Sequence, residues 1–159
     1  MTLDIGIRPI QRADVPRILL LAERLGEWFT PEGLAQMAHD LEHPQGYVAV
    51  QGDRVLGFVT WSPVDESTAT LSWIGVAPDH RRRGIGRSLL AALVECLRDK
   101  GIRSLEVDTV ADNVEYEPYA ETRRFYRAMG FQDVRVDEKF WGEGNDRYDR
   151  LVMRKDLTR

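Results

Sequence analysis

Three consecutive arginines, Arg81, Arg82 and Arg83, run into Gly84, Gly86 and a fourth arginine, Arg87, within the stretch IGVAPDHRRRGIGRSLL that spans Ile74 to Leu90. Guanidinium groups are permanently charged forks of donors that match phosphate oxygens. Glycine, lacking a β-carbon, lets an anion come close to the main chain. The leucines that follow at helical spacing predict a helix beginning near Gly84, and the first amides of a helix have no internal acceptor and carry partial positive charge. Together these residues point to a pyrophosphate or a phosphomonoester bound at a strand-turn-helix junction. A P-loop would need Lys-Ser/Thr after the second glycine, and a Rossmann turn would need Gly-x-Gly-x-x-Gly; neither pattern is present. A solvated basic turn is the plain alternative, and the surrounding elements must decide between the two.

Those elements can be read from periodicity. DIGIRPI predicts a short strand, and RADVPRILLLAERL a helix with Asp14 as N-cap and Pro16 in its first turn. PEGLAQMAHDLE predicts a second helix opened by Thr30 and Pro31. GYVAVQGDRVLGFVTWS reads as a hairpin around Gly52-Asp53, and ATLSWIGV as the next strand. In the helix after the arginines, Leu89, Leu93 and Leu97 share a face with Leu90 and Val94, and Gly101 is its stop. IRSLEVDTV predicts a strand with Leu105, Val107 and Thr109 on one side and Ser104, Glu106 and Asp108 on the other. A polar loop, ADNVEYEPY, leads to a helix with Thr122, Phe125, Tyr126 and Met129 on one stripe, closed by Gly130; a last hairpin follows, with GEGNDRYD as its loop. The expectation is one domain over residues 1–159, a mixed α/β sheet flanked by helices.

Composition narrows the functions. With 22 Lys+Arg against 26 Asp+Glu, net charge -4, the chain is not built as a general nucleic-acid binder, so its anion site must be local. No apolar run is long enough for a membrane span and the N-terminus lacks a secretion-signal layout, which leads us to expect a cytoplasmic protein. Cys96 is the only cysteine, which rules out an intrachain disulfide, and its apolar neighbours suggest a small core residue rather than a nucleophile. His39 and His43 have i,i+4 spacing but no third ligand at useful spacing, and no metal site is expected.

At this point the sequence resembles the GNAT superfamily of N-acetyltransferases. Arg81, Gly84 and Gly86 match its R-x-x-G-x-G turn, FYRAMGF resembles its closing helix, and IRPIQRADVPRILLL resembles its opening strand and helix. The resemblance implies a mostly antiparallel GNAT-like sheet and acetyl transfer from acetyl-CoA, as cosubstrate, to an amine of a small molecule or a protein. It also implies that backbone groups near Ile74 and Val76 bind the pantetheine arm, and that the Val76 N–H polarises the thioester carbonyl. The segment from Arg82 through Arg83, Gly84, Gly86 and Arg87 to Ser88 would cradle the pyrophosphate.

By the same resemblance Tyr126 is the acid beside the CoA sulfur and Glu106 the base for the amine, with Asp108 or water left open in that role. The chain departs from the family where an asparagine usually contacts CoA seven residues before the tyrosine. Tyr119 occupies that position, in a segment similar to the Y-x-x-T-R-x-F-Y helix of a GNAT subset, and Asn113 is an alternative contact. Direct attack without a covalent enzyme intermediate is expected, since only Cys96 offers itself as a carrier. A non-catalytic acyl-CoA-binding module is the competing reading. The identity of the acceptor and pairing into a homodimer are left open.

Overall fold

The computed structural model describes residues 4–144 and 146–158. In chain order the elements are β1 (Gly6–Pro9), α1 (Val15–Glu23), α2 (Pro31–Asp40), β2 (Gly46–Gln51), β3 (Arg54–Pro63), β4 (Thr68–Val76), α3 (Ile85–Asp99), β5 (Ser104–Val110), α4 (Glu117–Ala128), β6 (Gln132–Glu143) and β7 (Asp146–Asp156), with 3-10 turns at Arg12–Asp14 and Pro78–His80. Hydrogen-bonded neighbours run β1-β2-β3-β4-β5-β7-β6. The β1–β2, β2–β3, β5–β7 and β6–β7 pairs are antiparallel and β4–β5 is parallel. The expected mostly antiparallel sheet with helices is the observed fold. The chain packs as two compact units, one reaching Ser62 and adding Leu71–Lys100, the other combining Pro63–Thr70 with the chain from Gly101 onward.

In the first unit, Ile18, Leu21 and Ala22 of α1 and Met37 of α2 are buried together with Val48 and Phe58 of the sheet. Thr30 caps α2 as expected, its Oγ1 accepting from the Gly33 N–H at 3.0 Å. On α3, Ile85, Leu89, Leu90, Leu93, Val94 and Leu97 are buried, the stripe that the leucine spacing predicts. The first turn of α3 lies tight on the sheet because residue 57 is glycine: a Cβ there would stand 3.0 Å from the Gly75 carbonyl and 3.1 Å from Ile85 and Leu89 side-chain carbons. Cys96 is half-buried rather than in the core, and it helps push the Tyr47 phenol up to about 12.

Asp14 stands at the N-cap position of α1 with a proline in the first turn, as predicted. Its backbone is already helical and its side chain caps nothing on α1. Its buried carboxylate instead takes both guanidinium nitrogens of Arg8, at 2.7 and 2.9 Å, and the Gln11 N–H at 2.7 Å. The Arg8 hydrogen bond, followed by that of Gln11, outweighs burial and holds the Asp14 carboxyl below the usual carboxylate range. A carboxylate with a depressed folded pKa stabilises above its unfolded value of about 3.9, and loses this contribution as pH falls through the folded one. Arg8→Ala is therefore expected to cost about 2 kcal/mol at pH 7, because it strands a buried charge. Urea unfolding should show the gap from wild type shrinking below about pH 4; a gap independent of pH would rule the ion pair out as its cause.

In the second unit, Leu105, Val107 and Thr109 are buried and Ser104, Glu106 and Asp108 occupy the opposite face of β5, as the alternation predicts. Helix α4 begins at Glu117, so Tyr119 lies in its first turn rather than in the loop. Its buried residues are Arg123 and Tyr126, whereas the expected stripe omitted Arg123. The Arg123 guanidinium donates to the carbonyls of Val110 and Ala111 at 2.6 and 3.2 Å and pairs with Asp112 at 2.6 Å. A buried arginine thus ties α4 to the end of β5, satisfying main-chain acceptors that would otherwise be costly to bury. The closing hairpin has longer strands and a shorter turn than expected; Asn145 of its predicted loop lies outside the described residues.

Candidate active site

The arginine-glycine segment, in the first unit, has the geometry of an anion-binding turn. The chain leaves β4 at Val76, passes the 3-10 turn, and holds Arg82 and Gly84 in the left-handed region at φ 63° and 76°. Glycine adopts that conformation without penalty; arginine does so at a cost, so the turn stores strain at a basic residue. Gly84 is the N-cap of α3 and has no side chain to cap with. The first α-type hydrogen bond comes from the Ser88 N–H to the Gly84 carbonyl at 2.9 Å. The N–H groups of Ile85, Gly86 and Arg87 precede it and have no acceptor within the helix.

Charge around this turn is uncompensated. Among the described residues no carboxylate pairs with Arg82, Arg83 or Arg87, all three exposed. Arg81 lies over the Trp28 ring, 4.3 Å from its centroid. Asp79, just upstream, is occupied: Arg54 donates to it at 2.8 Å, Arg24 approaches to 3.8 Å, and His80 Nδ1 sits at 3.3 Å. The Arg54 hydrogen bond, followed by His80, holds the Asp79 carboxyl well below the usual range. Asp79 therefore anchors the turn to β3 without neutralising the arginines beyond it.

Ile74 and Val76 lie on the last stretch of β4, both partly buried. The Ala77 N–H donates to the Leu56 carbonyl of β3 at 2.7 Å. Main-chain groups alternate in direction along a strand, so those of Val76 and Ile74 face the edge away from β3. The ladder to β5 matches Thr68–Thr70 with Ser104–Glu106. Among the described residues, Leu71–Val76 has no ladder partner on that edge, so its donors and acceptors there are available to a ligand.

The second unit holds Glu106, Tyr119 and Tyr126. Glu106 lies directly across from Arg154 of β7 and accepts from it at 3.0 Å, with its side chain 17% exposed. Asp108, on the same face, meets Arg150 at 3.3 Å, and Arg150 also pairs with Asp137 and covers the Phe140 ring. Partial burial raises the Asp108 carboxyl above its usual range and Glu106 adds to the effect, while Arg150 opposes it.

Tyr126 is 4% exposed, its ring 5.4 Å from that of Phe131, and burial raises its phenol above the ordinary value. Tyr119 packs edge-on against Tyr116 at 4.7 Å, its phenol raised first by burial and then by Tyr116 and Tyr148. Asn113 donates to Asp149 at 3.0 Å, which ties the loop to β7. The supports Arg54 and Arg123 escape sequence reasoning, since each acts through a partner distant along the chain. The arginine of T-R-x-F-Y, at a core-facing position, was the one available signal.

Residues 15–131 match the Acetyltransferase (GNAT) family. The chain is 29% identical over 119 residues to the [ribosomal protein bS18]-alanine N-acetyltransferase of Escherichia coli K12, covering 67% of this chain and 75% of that protein. It is 31% identical over 121 residues to the mycothiol acetyltransferase of Clavibacter sepedonicus, covering 76% of this chain and 34% of that one. The crystal structure of a GNAT-family protein from Desulfovibrio desulfuricans superposes with a TM-score of 0.86 at 28% identity, covering 98% of this chain and all of the other. With the expected sheet and a family match over most of its length, this chain belongs to the GNAT family of acetyltransferases.

Proposed function

We propose that this N-acetyltransferase uses its arginine-glycine turn to hold the diphosphate of acetyl-CoA and passes the acetyl group to the α-amino group of a protein by direct attack. Acetyl-CoA is the acyl donor of the family. The observation that carries the reading is the unsatisfied start of α3 beside unpaired Arg82, Arg83 and Arg87, since an anion there completes the hydrogen bonding of Ile85, Gly86 and Arg87. In this reading Arg81 borders the same turn and Ser88 follows it. The pantetheine arm takes the free edge at Ile74 and Val76, and Tyr119 stands where the family's asparagine contacts CoA. The Val76 N–H is aimed at the oxygen that gains charge during attack, the kind of fixed donor that contributes most in acyl transfer.

Glu106 takes the proton of the amine, its carboxylate held in place by Arg154. Tyr126 donates to the departing sulfur. Its phenol, raised by burial, stays protonated at neutral pH but is a weaker acid than a thiol of pKa about 8.5. Its contribution is therefore a hydrogen bond to the thiolate rather than complete proton transfer. A hydrogen bond of that kind is worth about 1.5 kcal/mol. Tyr126→Phe should lower kcat about tenfold and leave acetyl-CoA affinity within about twofold. A steady-state assay paired with calorimetry checks this, and an equal loss in both would assign Tyr126 to binding.

A protein α-amine is favoured as acceptor because ribosomal-protein alanine N-acetyltransferases are among the relatives that align over most of their own length. The working compartment follows the acyl donor and is the cytoplasm; among the described residues no helix is long and apolar enough to cross a membrane. Incubation with acetyl-CoA and peptides beginning with alanine should release CoA thiol, while the same peptides with a blocked N-terminus and a free lysine should release little. Tight CoA binding with no thiol release on any amine would return the chain to the acyl-CoA-binding reading.

A further inference from the structure

A cavity of about 270 Å³ lies in the first unit at the C-terminal end of α2, lined by Asp40, His43, Thr60, Trp61, Ser62 and Ser72 among others. None of the roles assigned above uses it. The Asp40 carboxylate at its rim is positioned but not neutralised: Oδ1 accepts from Gln36 Nε2 at 2.9 Å and Oδ2 from Trp73 Nε1 at 2.8 Å, both uncharged donors. Each oxygen keeps a further lone pair. The carbonyl end of α2 adds partial negative charge at the same place, and among the described residues no lysine or arginine lines the cavity. The Ser62 and Ser72 hydroxyls lie 3.3 Å apart, one donating to the other, which leaves acceptor capacity on both. Thr60, also in the wall, is 5% exposed and its Oγ1 has no hydrogen-bond partner among the described residues.

Acceptors and negative charge thus predominate, beside the flat indole of Trp61. The complementary ligand carries positive charge and several donors on a short apolar stem. We propose that this cavity is a binding site for a primary ammonium on an alkyl chain. Its volume falls just below the range of about 300–1,000 Å³ common for drug-sized ligands, which suits a small amine. Such an ammonium has two sources: a separate small amine, or the far end of a long acceptor carrying two amines. Ser72 precedes Val76 by four residues of β4, about 13 Å at about 3.3 Å per residue, and a long diamine spans that distance.

The Trp73 indole N–H, bonded to Asp40, is a built-in reporter. Titration of the acetyl-CoA-free protein with 1,4-diaminobutane should shift its ¹⁵N–¹H resonance saturably, while 1,4-butanediol should not. Asp40→Asn retains an acceptor for Trp73 and should weaken the diamine at least tenfold. No saturable shift, an equal shift with the diol, or unchanged affinity in Asp40→Asn overturns the site. Because binding is read without catalysis, this result is independent of the acetyl-transfer reading.

Kinetics then separate the sources. If the ammonium belongs to the acceptor, Asp40→Asn raises KM about tenfold for an alanine-initiated peptide carrying one lysine and leaves the same peptide with norleucine in its place unchanged. If it is a separate amine, added 1,4-diaminobutane changes the rate on the norleucine peptide in wild type but not in Asp40→Asn.

Discussion

Gly86→Glu is expected to lower acetyl-CoA affinity at least about a hundredfold while leaving the protein as stable as before, or slightly more so. Gly86 is the second residue of α3, partly exposed, and its N–H is one of the three without an intrahelical acceptor. A side chain there stands in the path by which an oxyanion reaches the main chain, and a carboxylate adds like-charge repulsion. Loss of two charge-assisted hydrogen bonds at about 1.5 kcal/mol each already amounts to about 3 kcal/mol, which is about a hundredfold in Kd. Stability moves the other way. Replacing glycine inside a helix regains up to about 1 kcal/mol of propensity, and an acidic residue in the first turn complements the helix dipole. Calorimetry with acetyl-CoA and a thermal melt on the same sample check both halves. Retained affinity would remove the turn as the diphosphate cradle and, with it, the proposed placement of the donor.

Glu106→Gln should lower kcat/KM about a hundredfold at pH 7, within the range of about 10²–10⁴ that a positioned base contributes. The glutamine amide oxygen still accepts from Arg154, so the strand pair is kept and the proton acceptor is lost. The pH profile distinguishes a base from a merely structural carboxylate. A lysine-like amine of pKa about 10.4 is almost entirely protonated at neutral pH. Without a base the rate follows the free-amine fraction, climbing about tenfold per pH unit between about pH 7 and 9. For the proposed α-amine acceptor, nearer pKa 8, the same climb falls lower, between about pH 6 and 7.5, so the assay with an alanine peptide is read over that interval. Wild type should be much flatter over that interval, and Asp108→Asn should match wild type. If Asp108→Asn takes the steep profile instead, the base is Asp108, whose carboxyl is already raised by burial.

Much of the fold was legible because its signals are local. The leucine stripe of α3, the alternation of β5, the turn at Gly52 and the cap at Thr30 each depend on residues within a few positions of one another. Asp14 looks like an N-cap by the same logic, yet its carboxylate serves Arg8 of β1 and a neighbouring turn. A bidentate guanidinium out-competes a helix amide, and sequence spacing does not register it. Arg123 shows the converse. An arginine on a core-facing stripe is read as exposed by default, but here main-chain carbonyls and Asp112 make its burial tolerable.

By itself, then, the order of residues determined the charge and the backbone freedom of the arginine-glycine turn. Four arginines, two glycines and a helix start lie within seven consecutive positions, and their action depends on backbone conformation and charge close at hand. Tertiary structure alone decided which charges remain available. Asp79 is engaged by Arg54 and Arg24, Arg81 stacks on Trp28, and Glu106 meets Arg154 across 48 positions of chain, while among the described residues Arg82, Arg83 and Arg87 are left without carboxylate partners. Ion pairing depends on distance in space, and only the folded chain brings those partners to within a few ångströms.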